Sequence, residues 1–241
     1  IFIFVFSAFL IAGNLLKETI QTTYSSNLTS NVNDYAGQIG KIKLLFSATG
    51  LKAFIKSMVG KVWYLASSTL LLVFWFVIVC IKNIRLKSLI FSKDFNRLQL
   101  LLFFCALSLL TTLGISSLFM INPTRIDMII YGRYNEFLLG PILSITLCWL
   151  ITQKKYLLKE AGVTFFLYTL FSIISYKIFL NFEYTEINYT NIIGIYRFIR
   201  DDFSIIAISI KCFTCSLSFY FLAVIIRKIL KNIHWLCTLA G

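Results

Sequence analysis

The sequence predicts an all-α, polytopic transmembrane helix bundle of about six helices, and three observations lead there. Hydrophobic residues make up 59% of the 241 residues and charged residues only 14%, where a soluble domain carries about 45–50% and about 25%. The apolar residues gather into continuous runs of about 20 residues, not the ~10-residue alternating segments of a membrane β-barrel. Mean hydropathy is +0.83, with 24 Phe. That is too apolar for one water-soluble core and the opposite of a disordered composition.

The first run, residues 1–13, is shorter than a ~30 Å bilayer core requires at ~1.5 Å per residue. It begins without Met and has neither a basic n-region nor a small-residue cleavage site. It therefore reads as a truncated first span rather than a signal peptide, and 1–241 as one bundle cut from a longer chain. Segment 14–61 is expected to be a loop ending in an interfacial helix over 42–59. Leu44, Ala48, Leu51, Ile55, Met58 and Val62 recur there at steps of three and four, one face of a helix. Lys52 and Lys56 fall on other faces, as in a helix lying flat against lipid headgroups. Five further runs, 62–81, 98–121, 136–152, 161–180 and 204–226, complete the bundle. Pro141 falls in the first turn of its run, where a backbone amide has no intrahelical acceptor anyway.

The connecting segments set the orientation. Segments 82–97, 153–160 and 227–241 hold 11 Lys and Arg in 39 residues, against 10 in 85 for 14–61, 122–135 and 181–203. The denser set is expected on the cytoplasmic side of the cell membrane, with the three longer segments outside. Most of the net charge of +13 is then an orientation signal, and no solvated basic patch marks a nucleic-acid partner. The six Cys lie mostly inside apolar runs, which argues against a disulfide framework. Cys212-x-x-Cys215 lacks the soluble βαβ setting of a redox motif and reads as packing in lipid. His234 is the only histidine and falls on the cytoplasmic tail, so no His-based site is expected outside.

Chemistry concentrates in the second outer segment, Asn122-Pro-Thr-Arg-Ile-Asp-Met-Ile-Ile-Tyr-Gly-Arg-Tyr-Asn-Glu136. Arg125, Asp127, Arg133 and Glu136 put four charges at the rim, and Gly132 suits a tight backbone turn. Tyr131 and Tyr134 flank Arg133, so aromatic faces can hold its guanidinium while its fork grips a phosphate. The plainer account is an aromatic belt plus an Arg133–Glu136 ion pair at i, i+3. The third outer segment holds Tyr196, Arg197, Arg200 and the adjacent acids Asp201 and Asp202. Those acids suit a divalent cation or, more simply, the acidic start of the last helix. No other cofactor is called for. Lys177 can snorkel from the end of its span, whereas Lys211 lies well inside the last one. A charge at the bilayer centre costs ~2.5–3.5 kcal/mol, so Lys211 is expected to face a polar cavity and an acidic or phosphate partner.

The motif Tyr131-Gly-Arg-Tyr-Asn-Glu136, preceded by Arg125-Ile-Asp127, resembles a loop in the later part of bacterial polytopic membrane glycosyltransferases of the GT-C type. The stretch Gly60-Lys-Val-Trp-Tyr-Leu-Ala-Ser-Ser-Thr69 is similar to the same group, and the likeness extends over residues 42–141. It implies transfer of a sugar from a polyprenyl-phosphate carrier, a membrane lipid, to an acceptor at the extracytoplasmic face. Arg125, Asp127, Tyr131, Arg133, Tyr134, Glu136 and Lys211 would contact the substrate, with Arg133 the foremost phosphate ligand. In that family the catalytic acids sit in the first outer loop. No acid here matches them, so the catalytic residues stay unassigned. The alternative is a transporter or flippase for a lipid-linked or anionic solute. Such proteins break helices mid-span with Gly or Pro, whereas both prolines here lie at helix ends. A non-catalytic membrane scaffold is the third option.

Overall fold

The first long helix starts at Ser47. The computed structural model describes residues 41–84, 97–123, 125–153, 157–182, 187–199 and 203–239. In it the Ser47 hydroxyl accepts the Gly50 amide at 3.0 Å and caps α1, Ala48–Ser68. The apolar stripe Ala48, Leu51 and Ile55 turns outward, while Gly50, Ser57, Gly60 and Lys61 face the bundle. The interfacial helix expected over 42–59 is thus largely the first half of a longer helix. Its second half, Trp63–Ser67, is fully buried. Small residues allow the close approach: a Cβ at Gly60 would lie 2.6 Å from Ile129 Cγ2.

The run 62–81, expected as one straight span, is broken. After α1 the chain bends by 102° into α2, Leu72–Asn83. Leu70 and Leu71 take φ of 51° and 67°, a left-handed conformation that costs a non-glycine residue roughly 1–2 kcal/mol. Thr69 holds the corner: its hydroxyl donates to the Leu65 carbonyl at 2.7 Å and accepts the Val73 amide at 3.3 Å. The Leu71 amide reaches the Ala66 carbonyl at 2.8 Å. The backbone groups freed by the break are re-satisfied within the protein, as an apolar surrounding requires.

The next run matches its expectation closely, as α3, Arg97–Phe119. Leu102, Cys105, Leu109, Leu113 and Ser116 form its buried stripe at helical spacing. Two single turns follow, α4 (Ile126–Ile129) and α5 (Arg133–Glu136), and then α6, Leu139–Thr152. The segment Ile126–Glu136 meets α6 at 72°, so the run expected over 136–152 is one arm of a bent pair. Beyond it come α7 (Leu158–Leu180), a 3-10 turn (Tyr189–Asn191), α8 (Ile193–Tyr196) and α9 (Ile205–Leu239). The segment 227–241, expected as a tail, continues α9 as helix to Leu239.

Among the described residues every regular element is helical. Three helical stretches, α3, α7 and Ile205–Ile226, are long and apolar enough to cross a membrane. The two bent pairs raise the number of candidate spans to five. This fits an integral membrane protein. The run 1–13 expected as a first span lies outside the described residues. Helix α1 is central, touching α3, α4, α7, α8 and α9. Trp63 Nε1 donates to Ser209 Oγ of α9 at 3.0 Å, and the Ser67 and Tyr168 hydroxyls join α1 to α7 at 2.9 Å. Near the start of α7, Lys82 pairs with Glu160 and lies 5.6 Å from the centre of the Trp149 ring.

Candidate functional site

The connections between α3 and α6 and between α7 and α9 meet at one end of the bundle, here called the rim. Asp127 joins them. It is fully buried; Oδ1 accepts Arg125 Nε and the Asn188 amide, both at 3.1 Å. Its Oδ2 accepts Arg125 Nη2 at 3.1 Å and Asn191 Nδ2 at 2.6 Å. The Gly132 amide adds a bond to the Asn191 carbonyl at 3.3 Å. A carboxylate met by a guanidinium and two further donors is a satisfied buried anion, and it fastens one connection to the other.

Glu136 is placed by α1. The Tyr64 hydroxyl donates to its Oε1 and accepts the Gly194 amide at 2.9 Å. The Tyr64 ring is wedged between two glycines: a Cβ at Gly132 would lie 1.7 Å from Tyr64 Cε1, and one at Gly194 would lie 2.8 Å from its hydroxyl. Gly132 has φ of −90°, which any residue can adopt, and its carbonyl opens the α5 turn by accepting the Asn135 amide at 2.7 Å. Its role is room for a ring. One turn beyond Tyr64, the Ser68 carbonyl accepts Arg197 Nη2 at 3.2 Å, so Tyr64 and Ser68 hold a carboxylate and a guanidinium on successive turns of α1.

The other expected site residues are distributed as follows. Tyr131 is buried and its ring packs on exposed Tyr134 with centroids 4.9 Å apart. The Arg133 side chain lies outside the described residues, as do Arg200, Asp201 and Asp202. Among the described residues no cluster of three His, Cys, Asp or Glu could hold a metal. Lys211 donates to the Phe198 carbonyl at 2.9 Å. A groove of about 450 Å³ does open between α7 and α9, walled by Ser172, Tyr176, Ile206, Ser209, Ile210 and Phe213 among others. Lys211 is not among its lining residues, and at about 100° per residue it lies well round α9 from Ile206, Ser209 and Phe213. The structure therefore joins Arg125, Asp127 and Glu136 at the rim and keeps Lys211 apart from the groove.

Four residues, Tyr64, Lys61, Lys41 and Asn135, carry no distinguishing mark in the sequence. Tyr64 looked like one more aromatic in an apolar run. Lys61 looked like a flanking lysine. It is fully buried, donating to Ser57 Oγ at 3.0 Å and to the Ser116 carbonyl at 2.7 Å. Lys41 donates to the Phe119 carbonyl at 2.7 Å, so two lysines from elsewhere cap the C-terminal turn of α3, which has no base of its own. Asn135 is fully buried, with neither end of its amide partnered among the described residues. No protein-family model, curated protein or solved structure was found to match this chain.

Proposed function

We propose that the chain forms part of a membrane glycosyltransferase that takes a sugar from a polyprenyl-phosphate carrier at the extracytoplasmic face of a bacterial cell membrane. The observation that carries this reading is the juxtaposition at the rim of an anchored carboxylate, Glu136, and an anchored guanidinium, Arg197, on successive turns of α1. Sugar transfer from a lipid phosphate needs both: an acceptor for the proton of the incoming hydroxyl and a cation for the departing phosphate. The largely apolar groove between α7 and α9, of about 450 Å³, has a volume suited to a small ligand or part of a chain. On this reading segments 82–97, 153–160 and 227–241 lie in the cytoplasm.

The break between α1 and α2 favours a second reading, a flippase for a lipid-linked anionic solute, since discontinuous spans surround the substrate in many transporters. One experiment separates the two. The full-length protein is placed in proteoliposomes with a polyprenyl-phosphate-linked sugar and a glycan acceptor. Transfer of label to the acceptor supports the transferase. Movement of the intact lipid between leaflets without glycan product supports the flippase and removes the first reading.

A further inference from the structure

Two ring pairs join α7 to the start and the middle of α9. Phe179 and Phe203 stack at the rim end with centroids 5.8 Å apart, and Phe165 meets Phe213 at 4.8 Å deeper in the bundle. Between these pairs the helices part and leave the groove of about 450 Å³. Its walls, Tyr168–Tyr176 on α7 and Ile205–Thr214 on α9, run for ~12–14 Å at ~1.5 Å per residue, about half of a ~30 Å bilayer core. The groove is thus as deep as one leaflet, measured from the rim. Exposed Ile173, Ile206 and Ile210 on its walls belong to the lipid-facing surface, so it opens sideways to the bilayer.

The walls carry hydroxyls, yet these are engaged elsewhere. Thr169 donates to the Phe165 carbonyl at 2.9 Å and Thr214 to the Lys211 carbonyl at 2.9 Å. The Tyr168 hydroxyl is bonded to Ser67, the Ser209 hydroxyl takes Trp63 Nε1, and the Ser172 oxygen is buried. A sugar or other polar solute would lose its water without gaining partners there, whereas a hydrocarbon chain needs none. The rim end differs. Lys177 follows Ile173 by four residues and so continues the groove-facing stripe of α7 one turn nearer the rim. It is exposed, and among the described residues no carboxylate pairs with it. We propose that the groove holds one acyl chain of an anionic phospholipid of the surrounding membrane, with the lipid phosphate at Lys177. The depth of one leaflet matches a fatty-acyl chain, and a polyprenyl chain, much longer than a leaflet is deep, would overrun it. The bound chain fills the gap between the two ring pairs. The inference is independent of the transferase and flippase readings.

The test titrates the delipidated full-length protein in detergent with phosphatidylglycerol and counts bound lipid by native mass spectrometry. One phosphatidylglycerol per chain is expected to bind more tightly than phosphatidylcholine and to raise the melting temperature. Lys177→Gln is expected to weaken that binding about fivefold and to reduce its dependence on salt. Lys159→Gln, at the opposite end of α7, is expected to leave it unchanged. Thr169→Trp and Ile210→Trp each place a ring in the groove and are expected to abolish tight binding, with melting in lipid-free detergent verifying that each variant folds. Should one of them fail to fold, the other carries the test. Wild-type affinity in a folded groove-filling variant overturns the proposal, as does a wild-type protein that retains no phospholipid. Equal affinity for the two phospholipids together with no effect of Lys177→Gln overturns it too. Polyprenyl phosphate that displaces phosphatidylglycerol at equal or lower concentration also overturns it, and gives the groove to the carrier lipid instead.

Discussion

At Gly132 and Gly194 the limiting quantity is space. Neither has a positive φ, yet a Cβ on either would fall inside the contact distance of Tyr64, at 1.7 Å and 2.8 Å. An added methyl must push the ring, the 133–136 turn or the 193–196 turn, and overpacking of this kind costs about 1–3 kcal/mol. Gly132→Ala is therefore expected to lower the melting temperature of the detergent-solubilised protein and to loosen the Tyr64–Glu136 bond. In a Tyr64→Leu background the same Gly132→Ala change should cost less, because the smaller side chain makes room. An unchanged melting temperature for Gly132→Ala alone would show that the ring is not confined. Arg125 and Asp127 stood out in the sequence as rim charges, although the ion pair expected there was Arg133–Glu136 and the one described is Arg125–Asp127. The partner of Glu136 was not visible, because Tyr64 lies 72 residues earlier and resembles any aromatic residue of an apolar run.

The same contrast governs the elements. Helices α3 and α7 were legible to within a few residues because continuous apolar runs with polar ends define a span in any context. The corner at Thr69–Leu71 was not, because nothing local requires it: no Gly or Pro lies there, and two leucines adopt positive φ. Tertiary bonds hold it, with Ser67 tied to Tyr168, and the Ser68 carbonyl to Arg197. The burial of Lys61 is hidden from the sequence for a related reason, since its acceptor, the Ser116 carbonyl, lies 55 residues away. The two leucines should respond differently to glycine. Leu70 is half-buried and packs against the core, so Leu70→Gly relieves roughly 1–2 kcal/mol of left-handed strain but gives up part of that packing. Leu71 is 1% exposed, and Leu71→Gly forfeits about 1.5–3 kcal/mol of burial, or the equivalent packing in lipid, as well as leaving a cavity. Thermal unfolding should therefore show a smaller loss for Leu70→Gly than for Leu71→Gly. Equal losses at both positions would mean that side-chain packing, not backbone strain, dominates the corner.

Across the whole bundle, apolar side chains face outward along nearly every long helix: Leu98, Phe104, Leu107 and Leu110 on α3, Phe166 and Ile173 on α7, Ile206, Ile210 and Phe221 on α9. A surface of that extent is compatible with lipid as the solvent and not with water. The outward residues add no drive for helices to associate in lipid, so the bundle depends on close packing at small residues and on the polar ties from α1. Polar rim connections at one end and the Lys82–Glu160 pair at the other then fix which chemistry meets which aqueous phase. The transferase reading puts the rim outside, the orientation expected from the basic-residue bias. Exposed Tyr196 at the rim and exposed Lys159 at the opposite end provide the two reporters. In a background with all six Cys changed to Ser, Tyr196→Cys should react with a membrane-impermeant maleimide in intact cells. Lys159→Cys should react only after the membrane is opened. The reverse pattern would turn Glu136 and Arg197 toward the cytoplasm and rule out transfer at the outer face, whatever the rim's own chemistry.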